Sequence, residues 1–261
     1  MPLVSDRCIC LRKVAYSETS QILLLFARGH GLVRVIAKGA HRTTKAGASK
    51  FGGGIDLLDL ADGVFTHDPQ RELATLTEWH LRDGHLDLRT SLRGMYLAQY
   101  AAELVAMLIE EHDPHPDLFD RLEHTIGELA TPRAEETFLA FELDLLREAG
   151  YLAELTRCVS CGRDAAGPGA GDAAYFSPAS GGVVCRNCEA VVHDRMAMDL
   201  RLLRLVQGIV KLPRSNGTAQ RLPRLTRHQT DPLNRLFAEH VEHTLGRRLR
   251  LPRYVLAHDG A

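Results

Sequence analysis

No apolar run in this sequence approaches the ~18 residues of a membrane span; the stretch from Ile22 to Phe26 covers five. Asp6 and Arg7 precede any apolar segment, so the N-terminus has no signal-peptide pattern. Aromatic residues are 6% of the chain, which leaves few rings to stack on bases. No Walker lysine, nucleophile elbow or paired-carboxylate motif stands out, so an enzyme built on one of them has no footing here. There is no internal repeat. The net charge of −1 predicts, taken alone, no polyanionic partner. What remains is the expectation of a cytoplasmic protein with the ordinary composition of a soluble globular chain: 45% hydrophobic and 25% charged residues. A length of 261 residues is enough for two or three small domains.

Cysteine is also scarce, with six in the chain, but four of the six fall into two Cys-x-x-Cys pairs: Cys158 with Cys161, and Cys185 with Cys188. Each pair can turn two sulfurs toward one ion, and four thiolates close a tetrahedral zinc shell with bonds of ~2.3 Å. Gly162, after the first pair, permits a tight turn that aims backbone amides at sulfur. The spacer is longer than usual, and the Gly- and Ala-rich insert Asp164 to Ala174 reads as the surface loop that supplies the excess. Two disulfides, or a redox dithiol, are the rival chemistries. Disulfides need an oxidising compartment, and a thioredoxin-like dithiol sits at a βαβ unit and does not come in duplicate. The pattern therefore predicts structural Zn2+ on Cys158, Cys161, Cys185 and Cys188. A closed four-sulfur shell has no open position for water, which argues against a zinc hydrolase. Cys8 and Cys10 lie two apart in an expected strand and read as packed thiols.

The near-zero net charge hides segregation. Residues 81–160 carry sixteen acids and seven bases; residues 201–254 carry twelve bases and three acids. Such asymmetry points to a face that meets an anion, or to acidic and basic segments that pair with each other.

The first 80 residues read as short strands: Cys8–Val14, Ile22–Phe26, Leu32–Ala37, Ile55–Ala61, then Val64–Thr66 and Leu73–Thr77. Gly29-His30-Gly31 and Asp62-Gly63 are hairpin signals. About five strands at this spacing suggest a small closed barrel, and the OB-fold is the commonest nucleic-acid-binding barrel of that size. After Trp79 the apolar period becomes helical. Helices are expected over Leu92–Leu108 and Leu118–Leu129, then from a Thr131 N-cap with Pro132 opening to Gly150. Further helices are expected over Met196–Leu212 and from an Asp231 cap with Pro232 opening to Gly246. Arg214–Gly217 reads as a turn. The expected organisation is α+β and multidomain: an OB-fold over residues 1–80, a helical domain from 81–157 and 193–254, a four-cysteine module inserted at 158–192, and a disordered tail at 255–261.

The strongest ligand-binding candidate is the loop from Lys38 to Gly54. With Arg34 before it, the loop offers Lys38, His41, Arg42, Lys45 and Lys50 without one carboxylate. Mobile bases can follow phosphates, and glycines allow close backbone approach; a merely solvated loop is the alternative. Phe51, Phe65 and Tyr16 are the nearby rings. Downstream, Arg221, Arg224 and Arg227, and then Arg247, Arg248, Arg250 and Arg253, suit phosphate or an acidic tail, or serve solubility and pairing. His240 and His243 alternate with Glu239 and Glu242 but fit no zinc-protease spacing, so they read as packing or surface. Gly167, Gly169 and Gly171 lack the strand-to-helix context of a phosphate loop.

Taken in order, several short motifs resemble the RecO family of recombination mediators. They are Glu18 with Gln21–Phe26, His30-Gly31, Ala37-Lys38-Gly39-Ala40 and Phe51-Gly52-Gly53. Leu146–Leu152 then leads into Cys158-x-x-Cys161-Gly162. Tyr175-Phe176-Ser177 and Gly181-Gly182 precede Cys185-x-x-Cys188, and His243–Leu249 closes the series. The resemblance spans nearly the whole chain. It implies an OB-fold, a helical domain and, in many members, a four-cysteine zinc module; the expectation is a mediator that is not an enzyme. It implies binding of single- and double-stranded DNA, annealing of complementary strands, and partnership with RecR. In some members it also implies binding to the acidic tail of single-strand-binding protein, and help in loading RecA during gap and break repair. DNA contact carries over to Arg34, Lys38, His41, Arg42, Lys45 and Lys50. The insert at 164–174 departs from the family's pattern, and the near-neutral net charge is less basic than a dedicated DNA binder would suggest, so weak or partner-assisted binding is expected.

Overall fold

The computed structural model describes residues 2–40, 51, 54–66, 68, 71–167, 173–212 and 222–256. By compactness the chain divides into two units, Met1–Ala134 and Glu135–Ala261.

The first unit opens with five strands: β1 (Leu3–Ala15), β2 (Gln21–Ala27), β3 (Gly31–Ala37), β4 (Leu60–Thr66) and β5 (Ala74–Asp83). β1 pairs antiparallel with β2 and with β4, β2 with β3, and β4 with β5, while β3 and β5 run parallel. The order β1-β2-β3-β5-β4 returns to β1, so each strand has two neighbours. The inner face follows the period of two: Leu23, Leu25 and Ala27, then Val33, Val35 and Ala37, then Ala74 and Leu76. Cys8 and Cys10 belong to the same core, as packed thiols; burial pushes both well up, Cys10 to about 12.

One expectation fails here. Asp62-Gly63 is not a turn but the middle of β4, opposite Arg7 and Asp6 on β1 and His80 and Trp79 on β5. The glycine makes room: a Cβ at Gly63 would lie 3.3 Å from Cys8 Sγ and 3.5 Å from the Trp79 ring. Asp62 is stabilised in the strand by Arg82, whose Nε lies 2.7 Å from its Oδ2 on β5. Ile55–Ala61 is correspondingly not a strand of its own; β4 starts at Leu60. The Gly29–Gly31 hairpin is as expected, with Gly31 at φ +69°.

A 3-10 turn (Leu86–Thr90) leads to α1 (Leu92–Leu108), capped by Ser91 Oγ accepting from the Gly94 N–H, and then to α2 (Pro116–Glu128). By compactness both belong to the unit that holds the strands. The reasons are local. The Phe26 and Phe119 rings lie 5.6 Å apart, and the His112 N–H donates to Leu32 O at 3.0 Å.

The second unit contains α3 (Ala134–Glu148), a hairpin of β6 (Ala174–Ser177) and β7 (Gly182–Cys185), and β8 (Met196–Met198) beside β6. It continues with α4 (Leu200–Lys211), α5 (Arg227–Leu245) and a last turn, α6 (Pro252–Val255). α3 begins past Pro132, with Thr131 Oγ1 accepting the Arg133 N–H, and Gly150 (φ +78°) follows its end. Met196–Met198 pairs as a strand instead of starting the helix. Asp199 is the N-cap of α4, accepting the Arg201 N–H at 2.6 Å. α5 starts at a Thr226–Gln229 capping box, five residues before Asp231 and Pro232, and ends at Gly246 in the left-handed region. Val255, expected in a disordered tail, is buried and helical. The Arg214–Gly217 turn and residues 257–261 lie outside the described residues.

Candidate metal centre and nucleic-acid interface

The two Cys-x-x-Cys segments meet because the chain around the first is stitched to β7. The Glu154 N–H donates to Gly181 O, the Val183 N–H to Glu154 O, and the Val159 N–H to Val183 O, all at 2.8–2.9 Å. Gly182 is needed for this approach; a Cβ there would sit 2.5 Å from Glu154 O. The first knuckle closes through the Gly162 N–H to Cys158 O at 2.8 Å, with Gly162 at φ +72°. Cys185 ends β7 and Cys188 lies in the 3-10 turn Arg186–Val191.

The four sulfurs all lie within 4.8 Å of one another. Cys161 Sγ and Cys185 Sγ are 3.8 Å apart, the edge expected for a tetrahedron with bonds of ~2.3 Å and far longer than a disulfide. All four are free thiols. Burial opposes charge on Cys158, yet N–H groups of Cys185, Cys161 and Ser160 outweigh it and bring that thiol down to about 6. Burial and the neighbouring sulfurs push Cys185 up and Cys188 up to about 12. Without a cation the cluster favours one thiolate; a cation at its centre stabilises the others. The donor set and its spacing therefore fit a metal ion held by Cys158, Cys161, Cys185 and Cys188, which completes the shell with protein ligands. His240 is no ligand. It is buried against the same hairpin, its Nε2–H donates to Tyr151 O at 3.0 Å, and its ring meets Phe176 edge-on at 5.9 Å.

In the first unit the expected DNA contacts divide. Arg34 points outward from β3 and pairs with Glu111 at 2.6 Å; Lys38, just past β3, is exposed. His41, Arg42, Lys45 and Lys50 lie outside the described residues. Phe51 and Phe65 are buried in the barrel core, which removes them as stacking partners, whereas Tyr16 is 64% exposed. The two ends of the strands differ in charge. At the β2–β3 turn, acids of α2 meet the cations: Arg7 with Asp120 and Glu123, and Arg28 with Asp120. At the opposite end lie the β1–β2 turn and Lys38, since Ala15, Gln21 and Ala37 are in register.

In the second unit, Arg247, Arg248, Arg250 and Arg253 are exposed. Arg253 lies over the Tyr254 ring at 4.6 Å and donates to its hydroxyl. Arg224 faces the buried Glu136 at 3.8 Å, and Arg227 faces Asp231 at 3.4 Å. Arg221 is outside the described residues. The 164–174 insert is described only at its ends. No described helix is long and apolar enough to cross a membrane.

Family models match in sequence order: "Recombination protein O N terminal" over residues 1–85 and "Recombination protein O C terminal" over 89–252. Curated relatives agree. The DNA repair protein RecO of Anaeromyxobacter sp. (strain Fw109-5) is 32% identical over 254 residues, 95% of this chain and 93% of that protein. That of Myxococcus xanthus is 29% identical over 252 residues, covering 96% of each. That of Rhodopirellula baltica is 36% identical over 181 residues, 69% of this chain and 65% of the relative. With both domain models matched in order and relatives aligned nearly end to end, the chain belongs to the RecO family of DNA repair proteins.

Proposed function

We propose that this chain is a non-enzymatic DNA-binding mediator of the cytoplasm, associated with the nucleoid when active. It anneals complementary single strands and helps load recombinase on strands coated by single-strand-binding protein. The observation that carries this most is the order β1-β2-β3-β5-β4, with exposed Lys38 just past β3 at the end of the strands away from α2. That order suits an OB-type barrel, whose loops and strand faces hold single strands. Bases of the loop take the phosphates and release counterions, while nucleobases stay free to pair. The metal is Zn2+ in a structural role, because four cysteines leave it no open position. RecR is the expected partner, and RecA an indirect one.

The test is annealing of complementary strands coated by single-strand-binding protein, with and without this protein. Acceleration supports the function; no acceleration at any salt rejects it. Changing Lys38, Arg42 and Lys45 together to Ala should weaken binding and flatten the dependence of log affinity on log salt, by about one for each phosphate no longer neutralised. An unchanged slope would move the interface elsewhere.

A second reading, an interaction scaffold for acidic tails, is favoured by a groove of about 580 Å³ between β8, α4 and α5. Met198, Leu202 and Leu236 give it apolar walls; Arg227, His228 and Arg235 of α5 line it together with Asp199 and Asp231, and Arg227 pairs with Asp231 on its own helix. An acidic peptide with an apolar end suits this lining, as it suits Arg247–Arg253. Peptide binding by a protein that binds no DNA would favour this alternative.

A further inference from the structure

The outer face of the first three strands carries two registered rows. A bulge at Leu11 resets β1: Cys8 and Cys10 point into the core, and beyond the bulge Arg12 stands opposite Leu24 and Val14 opposite Ile22. β2 in turn aligns Leu24 with Arg34, and Ile22 with Ile36. Residues opposite one another in a ladder share a face. Arg12–Leu24–Arg34 and Val14–Ile22–Ile36 are therefore rows across the outside, opposite in sense to the inward Leu23, Leu25, Val33 and Val35. The same alternation leads to Tyr16 beyond β1 and to Lys38 beyond β3.

Tyr16 differs from every other described aromatic side chain of residues 2–83. Phe26, Phe51, Phe65 and Trp79 are buried. Tyr16 is 64% exposed, and among the described residues its side chain has no hydrogen bond, ion pair or ring contact. Its backbone is fixed all the same. The N–H groups of Tyr16 and Ser17 donate to Ser20 O at 3.0 and 3.2 Å, and the Ser20 N–H donates to Ser17 Oγ at 3.1 Å. A bare ring is thus held on a tied turn, above a half-apolar face with exposed Val14 beside it. Arg12 and Lys38 are exposed on the same face and have no ion pair among the described residues.

We infer that Tyr16 is a base-stacking contact for single-stranded DNA, and the residue that makes this face prefer unpaired strands over duplex. The inference rests on the DNA-binding function proposed above. An unpaired base lies on the Tyr16 ring, and Arg12 and Lys38 supply positive charge to the strand backbone. A base inside a duplex already has both faces stacked and offers none to the ring. Arg34, paired with Glu111, contributes less.

The experiment uses the full-length protein with Tyr16→Ala, Tyr16→Phe and Tyr16→Trp, titrated with oligo-dT and with a duplex of equal length at one fixed salt concentration. Stacking predicts that Tyr16→Ala weakens oligo-dT binding roughly tenfold and leaves duplex binding within about twofold. Tyr16→Phe should keep near-native affinity, because the hydroxyl has no part in it. Tyr16→Trp should add a fluorescence signal, quenched by oligo-dT, to that of the buried Trp79. Equal loss on both DNAs, or no loss on oligo-dT, overturns the inference while the DNA-binding function stands; no loss would leave Tyr16 to a protein partner. Wild-type protein that binds neither DNA overturns both.

Discussion

Arg28 grips Asp120 with two prongs: Nε lies 2.7 Å from Oδ1 and Nη2 lies 2.7 Å from Oδ2. Arg7 reaches the same carboxylate at 3.4 Å and lies over the Phe119 ring one residue away. The acidic α2 thus closes the β2–β3 end of the barrel. Cations that a count of charges would assign to DNA are spent there on an internal contact.

The pH dependence follows. The hydrogen bonds from Arg28 hold Asp120 below the usual carboxylate range, helped by the charges of Arg28 and Arg7 against partial burial. A carboxyl depressed in the folded state stabilises it above the unfolded value of ~3.9, and that stability is lost as pH falls through the lower, folded value. Both side chains are over a third exposed, so screening keeps the effect to about 1 kcal/mol. In urea titrations Asp120→Asn should be destabilised by that amount at pH 7, and the gap to wild type should shrink toward pH 3. A gap that stays constant with pH would mean the pair works through packing and not charge.

Gly94 sets the approach of α1 to the chain after α2. A Cβ there would lie 2.3 Å from Leu129 O. Helix propensity alone favours Gly94→Ala by ~1 kcal/mol, but the collision with backbone cannot be relieved by turning a side chain. The expected net effect is a loss of about 2 kcal/mol, read as a lower urea midpoint. A gain in stability would show that the two segments separate easily.

Metal and packing roles separate at two positions of the second unit. If the proposed Zn2+ fills the four-cysteine cluster, the wild type should carry about one ion per chain, and Cys185→Ser should reduce it and lower the melting temperature. His240→Ala should leave the zinc content unchanged while costing about 2–3 kcal/mol, because it opens a cavity and strands the Tyr151 carbonyl. Elemental analysis beside thermal melts checks both. Zinc loss in His240→Ala protein that is still folded would make His240 part of the centre.

The parts that sequence resolved well are those where one residue type has one job. Two Cys-x-x-Cys pairs with Gly162 meet as a four-sulfur cluster. The glycines at 31, 150 and 246 mark a hairpin and two helix ends because each adopts positive φ. The apolar stripes of α1 to α3 are core, as their period requires. What sequence missed depends on neighbours distant along the chain. Asp62-Gly63 has hairpin chemistry, but the bulk of Trp79 across β5 uses the glycine as space. Pro232 resembles a helix opener, yet the Thr226–Gln229 box starts α5 earlier and the proline is carried inside. The bulge at Leu11 changes which of Arg12, Lys13 and Val14 face outward, and no local pattern announces it. Acid–base pairing between α2 and the strands was likewise hidden, because it joins residues about a hundred positions apart.

At Gly31 the contact is between two backbones. A Cβ there would fall 2.2 Å from Asp113 O, and Leu32 bridges to Glu111 beside it. Neither an added side chain nor an inserted residue fits between the hairpin and the segment after α1. An insertion or deletion at this turn would have to part the strands from the segment that follows α1, so chain length is fixed here by contact between backbones and not by any side chain.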